Sequence, residues 1–543
     1  MRFDQLQVLC FAGLFVMGCG EDPVTSADAT APEIVEDLGA PQDVPSGSVK
    51  LSVFKTGDGG LVRSEPAGVE CGDTCFAEFP AGTEVRLFAE PDNGYRFMGF
   101  GGDCEGLESC VLTMDEAREV GVTWKSFAPA LAWATVAGGT GDDTVTSMAI
   151  STEKTLYTVG VSSSADFTWN EEPFADGGEN GTFFLSKVSE AGALEWHKEF
   201  VRTDGACPAP LVVSDHLGNA IVAGVAGEGT DLTGAMGAPS HGEGTFIAQY
   251  APDGTLNWYS LFEGGCINAI RVNAAGHIAI VGKVKVENAN FGGETHPTSA
   301  NATSAFVAVF EATGLTTWSR VFATQELDVA EAYDVLLADD GMVTLISFFQ
   351  NTGSVSFGGE VMPDGHAMAV ARFGADGAHL WSKPFGGVYS HLRKLVKGPK
   401  GTLYVAGWES PGAAQENFIA RLDSEGEETW RMEFPLEEKQ EPVAFIPTSE
   451  GFFFVGRTYD PYEVQENFFL IRMTEDFLIE YSLDLGGLHA DFVFGAVLTE
   501  AKDLVLAGST NSASISIGDE TITNEGGGKD TAAQVLLLRL TNL

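Results

Sequence analysis

The sequence predicts an all-β chain, and three observations carry that reading. Hydrophobic residues make up 44% of the 543 residues and aromatics 10%, with 37 Phe and 66 Gly, a mixture of strand formers and turn formers. One aromatic recurs along the chain, at Trp133, Trp196, Trp258, Trp318, Trp381, Trp430 and Tyr481, at intervals of 49 to 63 residues. Around each recurrence, short apolar runs alternate with glycine-bearing turns, enough for four strands per unit. Seven four-stranded units describe a seven-bladed β-propeller, an arrangement that leaves only short protected sheet edges. The expected order is a leader over 1–18, an acidic linker over 19–46, a small disulfide-stabilised β module over 47–127 and the propeller over 128–543.

At the amino end, Arg2 precedes an apolar run over 6–17, the length of a signal-peptide core and too short to span a bilayer. It ends in Val16-Met17-Gly18-Cys19, which resembles the lipobox of bacterial lipoproteins. The resemblance implies cleavage before Cys19, lipid on its thiol, and a place in the cell envelope, at the outer membrane or cell surface. Asp4 and the bulky Met17 depart from the usual pattern, and ordinary secretory cleavage is the alternative. Residues 20–46 are acidic, rich in Pro, Ala, Asp and Thr and free of aromatics, so they cannot bury enough surface to fold and are expected to act as a flexible spacer.

Thirty Lys and Arg against 77 Asp and Glu give a net charge of −47. That field repels a phosphate backbone and an anionic membrane face, so nucleic acid is excluded as partner and membrane contact is expected through the lipid only. A protein, a polysaccharide or a divalent cation stays open, and the propeller is expected to be a monomer.

In 47–127, strands are expected over 49–54, 75–79, 84–89, 95–100 and 119–124, punctuated by Gly57-Asp58-Gly59-Gly60, Pro80-Ala81-Gly82 and Pro91-Asp92-Asn93-Gly94. Of eight cysteines, Cys10 leaves with the leader and Cys19 carries lipid. The remaining six, Cys71, Cys75, Cys104, Cys110, Cys207 and Cys266, read as disulfides in an exported chain. Cys71 with Cys75 and Cys104 with Cys110 is the expected pairing in the module, although three connectivities are open. Zinc is the alternative, but no His lies nearby. Ser64-Glu65-Pro66, Cys71-Gly72-Asp73-Thr74-Cys75, Tyr95-Arg96-Phe97-Met98-Gly99-Phe100 and Cys110-Val111-Leu112-Thr113-Met114 make the segment similar to divergent internalin B-repeats, with Phe100 where that family usually has Trp.

Beyond 128 the units share a grammar. A strand ending in Gly recurs at 156–160, 220–224, 278–282, 403–407, 452–456 and 504–508, with 343–347 ending in Ser347. Gly-x3-Trp follows at Gly192, Gly254, Gly314, Gly377 and Gly426, where glycine supplies the positive φ of a tight hairpin between third and fourth strands. The segment 131–137 carries a fourth strand with no preceding blade, whereas the last unit stops after its third, so the two ends should zip the ring shut. Trp381 to Gly387, Gly218 to Gly224 and Phe418 to Asp423 resemble the bacterial SBBP propeller repeats. Gly-x3-Trp also resembles the tryptophan-docking motif of quinoprotein propellers, which implies that these aromatics wedge between blades and bind no cofactor.

Strand order puts the second-to-third loops and the blade connections on one, more ornate face. Long loops bearing Ala165-Asp166-Phe167, Thr230-Asp231-Leu232, Ala289-Asn290-Phe291, Ser356-Phe357-Gly358 and Ile515-Ser516-Ile517 should add small hairpins there, either as binding loops or as covers for the outer strand. Cys207 and Cys266 fall in successive blade connections and should pair. No catalytic or metal motif assembles from the residues: the nine His are scattered, and no EF-hand spacing occurs. The expected function is therefore a non-catalytic binding or scaffolding module for a protein or glycan ligand, without metal or cofactor. The alternative is a lyase, hydrolase or quinoprotein-type enzyme using the central funnel.

Overall fold

Alternating and continuous apolar runs, cut by turn residues, give 42 strands and no α-helix among the described residues. The computed structural model describes residues 47–543 except 58, 72–73, 108–109, 128, 175–180, 202–206, 208, 227–229, 234–243, 263–264, 323–328, 351–354, 364–366, 388, 399–400, 411–415, 435–438, 460–466, 518–519 and 525–531. The expected leader over 1–18, Cys19 and the expected acidic linker lie outside the described residues.

The module packs two sheets face to face. One contains Ser48–Thr56, Thr74–Pro80, Tyr95–Gly102 and Arg118–Ser126; the other contains Gly60–Glu65, Glu70–Cys71, Glu84–Pro91 and Cys110–Thr113. Period-two alternation drives this: Val85, Leu87 and Ala89 turn inward from one strand, Val120, Val122 and Trp124 from another, and all are buried. Strands over 60–65 and 110–113 had no clear signal in the sequence. They are short, and the disulfides Cys71–Cys75 and Cys104–Cys110 hold their neighbourhoods.

The rest is a β-propeller fold. Among the described residues there are seven four-stranded antiparallel units, six of them laid down in chain order. Unit one runs Asp143–Ile150, Leu156–Ser162, Thr182–Val188 and Leu194–Val201; unit two runs Leu211–Ser214, Ala220–Ala226, Gly244–Tyr250 and Leu256–Phe262. Unit three runs Gly265–Val272, Ile278–Val284, Ser304–Phe310 and Thr316–Phe322; unit four runs Val329–Leu337, Val343–Gln350, Met368–Phe373 and His379–Phe385. Unit five runs Ser390–Lys397, Leu403–Glu409, Glu416–Leu422 and Glu428–Phe434; unit six runs Lys439–Thr448, Gly451–Tyr459, Phe468–Met473 and Ile479–Leu485. Unit seven takes Asp491–Leu498, Leu504–Thr510 and Gln534–Thr541 from the carboxyl end, and Ala130–Ala137 as its fourth strand, in register Val535 to Ala137. First strands of consecutive units pack together, and that of unit one also packs on the first two strands of unit seven.

Middle strands are covered on both faces by neighbouring units, which is why they read as unbroken apolar runs such as Ser304–Phe310, buried throughout. Outer strands alternate, and their aromatics cross to the next unit. The indole N–H of Trp196 donates to Pro252 O at 3.0 Å, Trp258 to Ala312 O at 3.0 Å, Trp318 to Ala375 O at 2.9 Å and Trp381 to Ser424 O at 2.9 Å. Each accepting carbonyl lies two residues before the hairpin glycine of the following unit, and the ring lies over that glycine. A Cβ on Gly314 would come within 2.5 Å of Trp258, and one on Gly426 within 2.5 Å of Trp381.

Two positions depart from this rule for visible reasons. Trp430 meets Phe477, which holds a φ of 62° at the hairpin position and stacks on the indole at 4.2 Å. Tyr481 sits on the outer strand of unit six, where the following unit's hairpin is interrupted by the chain ends. It packs instead on Phe127 at 4.4 Å, and Arg96 lies over both rings. Tyr481 also pairs with Arg96 across strands, so the sheet of unit six runs on into the module. Ser482 Oγ donates to Pro91 O and Asp484 N to Asn93 Oδ1 at the same junction.

Candidate functional site

The first strands contain a feature the sequence reading missed. In six units the pairing of first and second strands slips by one residue, leaving Thr146, Asn268, Tyr333, Arg393, Val443 and Phe494 as the bulged residues. A bulge re-aims its side chain and sharpens the local twist. Five of these side chains, from units three to seven, line a single cavity of about 380 Å³ with Glu331, Lys394 and Arg457. The cavity therefore marks an axis at which the first strands of units three to seven meet. The sequence trace was the pattern apolar-x-x-apolar, as in Ile267-Asn268-Ala269-Ile270 and Leu392-Arg393-Lys394-Leu395, which breaks strict alternation.

Polar groups at this axis are positioned from behind. Asn268 Nδ2 donates to Glu331 Oε1 at 2.8 Å and to Ala332 O at 2.9 Å, and Lys283 Nζ lies 3.2 Å from the same carboxylate. Asp334, buried, accepts from Arg271 Nη2 of unit three at 2.6 Å and from Leu395 N of unit five at 3.0 Å, tying three units together. Arg393 stands over the Tyr333 ring at 5.5 Å.

From Tyr333 a row of half-buried rings continues across units four and five. Tyr333 and Phe348 centroids are 6.5 Å apart, Phe348 and His391 are parallel at 6.3 Å, and His391 stacks on Trp408 at 4.0 Å. Strand register explains the order, since His391 faces Trp408 within unit five and Glu331 faces Phe348 within unit four. Burial pushes the Tyr333 phenol up, with Glu331 adding and Arg393 opposing. Burial holds the His391 imidazole below its usual range, and Arg393 adds to this, so it is neutral near pH 7.

A second cavity, of about 420 Å³, lies between the module and units five and six, lined by Arg63, Phe88, Trp430 and Arg431 among others. Two of its three arginines are held in ion pairs, Arg63 with Glu90, and Arg431 with Glu409 at 2.8 Å and Glu428 at 2.9 Å.

Cys207 and Cys266 are joined, with Cα atoms 5.0 Å apart; Cys266 lies in the first strand of unit three, not in the preceding connection. Trp133 Nε1 donates to Glu190 O at 3.0 Å, linking units seven and one. Three of the five expected hairpins appear, as Thr168–Trp169 with Glu172–Pro173, Ala289–Asn290 with Thr295–His296, and Ser514–Ile517 with Glu520–Thr523; at Ser356 there is a single bridge to Val361, and the loop after Leu232 continues outside the described residues. They bury Phe167, Trp169, Phe291, Ile515 and Ile517, and His296 reaches Ser319 of its own outer strand at 2.7 Å. Their apolar side chains are spent on covering the propeller. Among the described residues, no three of His, Cys, Asp and Glu gather as a cation cage.

Residues 67–128 match the family model of the divergent InlB B-repeat domain. No curated protein matches the chain. Among solved structures it is similar to the Dos1 propeller at 8% identity, covering 76% of this chain and 94% of that one, with a TM-score of 0.37. It is likewise similar to the β-propeller domain of the Trilobed protease from Pyrococcus furiosus, at 10% identity, 70% and 95% coverage and a TM-score of 0.39. Polysaccharide lyase Uly1 matches at 8% identity, 74% and 89% coverage and a TM-score of 0.40.

Proposed function

We propose that the chain is an exported lipoprotein, tethered through Cys19, whose seven units close into a seven-bladed propeller of SBBP type that binds a ligand at its axis without transforming it. The observation that carries this reading is the repeated bulge. Six chemically different side chains leave the sheets at the same register, while the surrounding strands keep a uniform apolar pattern. A scaffold that holds its backbone constant and varies the side chains at one convergent point has the form of a binding site on rigid elements. Probing glycan and protein arrays with the purified chain tests it. Signal lost in both Tyr333→Ala and Arg393→Ala is the expected result; signal indifferent to both would move the site elsewhere.

A second reading, a propeller enzyme of lyase, hydrolase or quinoprotein type, is favoured by one observation. Tyr333 and Arg393 meet at the axial cavity, and a neutral His391 stands beyond Phe348 in the adjoining row, groups able to exchange a proton and hold an anion. Product formed from an array ligand by the wild type, and lost in Tyr333→Phe, would replace binding with catalysis. For the tether, labelled fatty acid should enter the wild-type chain in the expressing bacterium and not Cys19→Ala.

A further inference from the structure

We infer that the cavity between the module and units five and six takes a neutral saccharide, at a site separate from the axis. It opens where unit six breaks the docking rule. The indoles of Trp133, Trp196, Trp258, Trp318 and Trp381 each donate to a carbonyl of the next unit's hairpin. In unit six Phe477 takes the place of the hairpin glycine, so Trp430 stacks on it at 4.2 Å and its N–H has no acceptor among the described residues. The module walls the space left beside that indole. Glu65 faces Arg86 and Arg63 faces Phe88 across the strands Gly60–Glu65 and Glu84–Pro91, and the period of two brings all four side chains to the cavity.

Donors and acceptors are both present there and unspent. Arg63 and Arg431 are taken up by Glu90, Glu409 and Glu428, none of which lines the cavity. Arg86 and the Trp430 N–H remain as donors, and Glu65, Glu416, Glu433 and Asp476 as acceptors. None of these five charged groups has an ion pair among the described residues. Phe88, Met432 and Phe477 give apolar surface between them. A hydroxyl donates and accepts at once, so a polyhydroxylated ring answers both sets in place of water while its C–H face covers the aromatic surface. An anion would meet four unpaired carboxylates and the −47 of the whole chain. A cation would leave Arg86 and the indole N–H without an acceptor and would lie among three guanidinium groups. The volume, about 420 Å³, falls in the range of small-molecule sites.

The test is calorimetric titration of the full chain with cellotetraose, xylotetraose, mannotetraose and maltotetraose, beside spermidine and tri-galacturonate as charged probes. At least one neutral probe is expected to bind, with an affinity that stays within about twofold as salt rises from about 50 to about 300 mM. Arg86→Ala and Glu433→Ala, both at exposed positions, should each weaken it about tenfold. Trp430→Phe keeps a ring against Phe477 and removes only the N–H, and should weaken it about fivefold. Should Trp430→Phe fail to fold by circular dichroism, the two surface variants still decide the matter. Neutral binding untouched by Arg86→Ala and Glu433→Ala would overturn the inference. Loss in Tyr333→Ala with Arg86→Ala unaffected would put the sugar at the axis, overturning this site and leaving the axial reading standing. Tighter binding of spermidine or tri-galacturonate than of every neutral probe, or no neutral probe bound at about 10 mM, would overturn it as well.

Discussion

The indole N–H of Trp133 donates to the carbonyl of Glu190 at 3.0 Å, and Arg539 Nη1 donates to the same carbonyl at 2.8 Å. Trp133 and Arg539 face each other across the outermost two strands of unit seven, one from each end of the propeller segment, and together they grip the hairpin of unit one. The same docking recurs at four other junctions, each time over a hairpin glycine. That glycine therefore has two duties, a positive φ for the turn and a bare floor for the preceding unit's indole.

The two duties separate by substitution. Gly401 has a φ of +79° with nothing near its missing Cβ, whereas a Cβ on Gly314, at φ +80°, would lie 2.5 Å from Trp258. Gly401→Ala should lower unfolding free energy by about 1 kcal/mol from backbone strain alone. Gly314→Ala adds overpacking and should cost about 3 kcal/mol. Denaturant titration of both variants measures the difference; equal losses would mean that the indole does not rest on the glycine.

Phe477 solves the same problem the other way, filling the floor beneath Trp430 at the expense of a left-handed backbone. Phe477→Gly relieves about 1 kcal/mol of strain but gives up a buried ring that also stacks on Phe452 at 4.7 Å, so a net loss of about 2 kcal/mol is expected. A gain in stability would show that the ring contributes little.

The Cys207–Cys266 bridge spans a sequence separation of 59, from the connection between units one and two to the first strand of unit three. In the chain-entropy picture a loop of that length stabilises by about 4 kcal/mol. Cys207→Ser with Cys266→Ser should lower the melting temperature and shrink the further drop caused by reductant, the remainder coming from the two module bridges. An unchanged melting temperature would contradict this.

Stability should depend on pH through two buried carboxyls. Asp143 accepts from Ser162, Ser164 and Gly139 N, and Asp491 accepts from Thr510, Ser512 and Gly487 N, yet burial raises both pKa values above 3.8. The folded state binds their protons first, so stability contributed by these groups rises as pH falls from neutral through the raised values and levels off below 3.8. Asp115, Asp166, Asp253 and Glu450 have lowered values and act oppositely, losing their contribution only at still lower pH. The melting temperature should therefore climb from pH 8 towards the ordinary carboxylate range, and the Asp143→Asn, Asp491→Asn double variant should be less stable with a shallower climb. A steeper climb in the double variant would contradict the assignment.

The outer and middle strands were legible because their signals are local. Hairpin glycines need positive φ, an indole needs a floor at fixed spacing, and doubly covered strands show as apolar runs. The bulges were not, because a one-residue slip is defined by the partner strand and leaves only a broken alternation such as Val493-Phe494-Gly495-Ala496. The junction of module and propeller was illegible for a related reason. Tyr481 takes the seventh place in the aromatic recurrence, but its partners Arg96 and Phe127 lie several hundred residues earlier, and nothing near Tyr481 announces them.

Hydrogen exchange of the amides in 130–137 tests the central claim most directly, because the proposed closure of the propeller depends on that strand. Peptides covering it should exchange as slowly as those from 534–541, to which it is paired. Exchange of 130–137 within seconds, beside protected 534–541, would mean that the two ends are not zipped and that the convergence on one axis is lost.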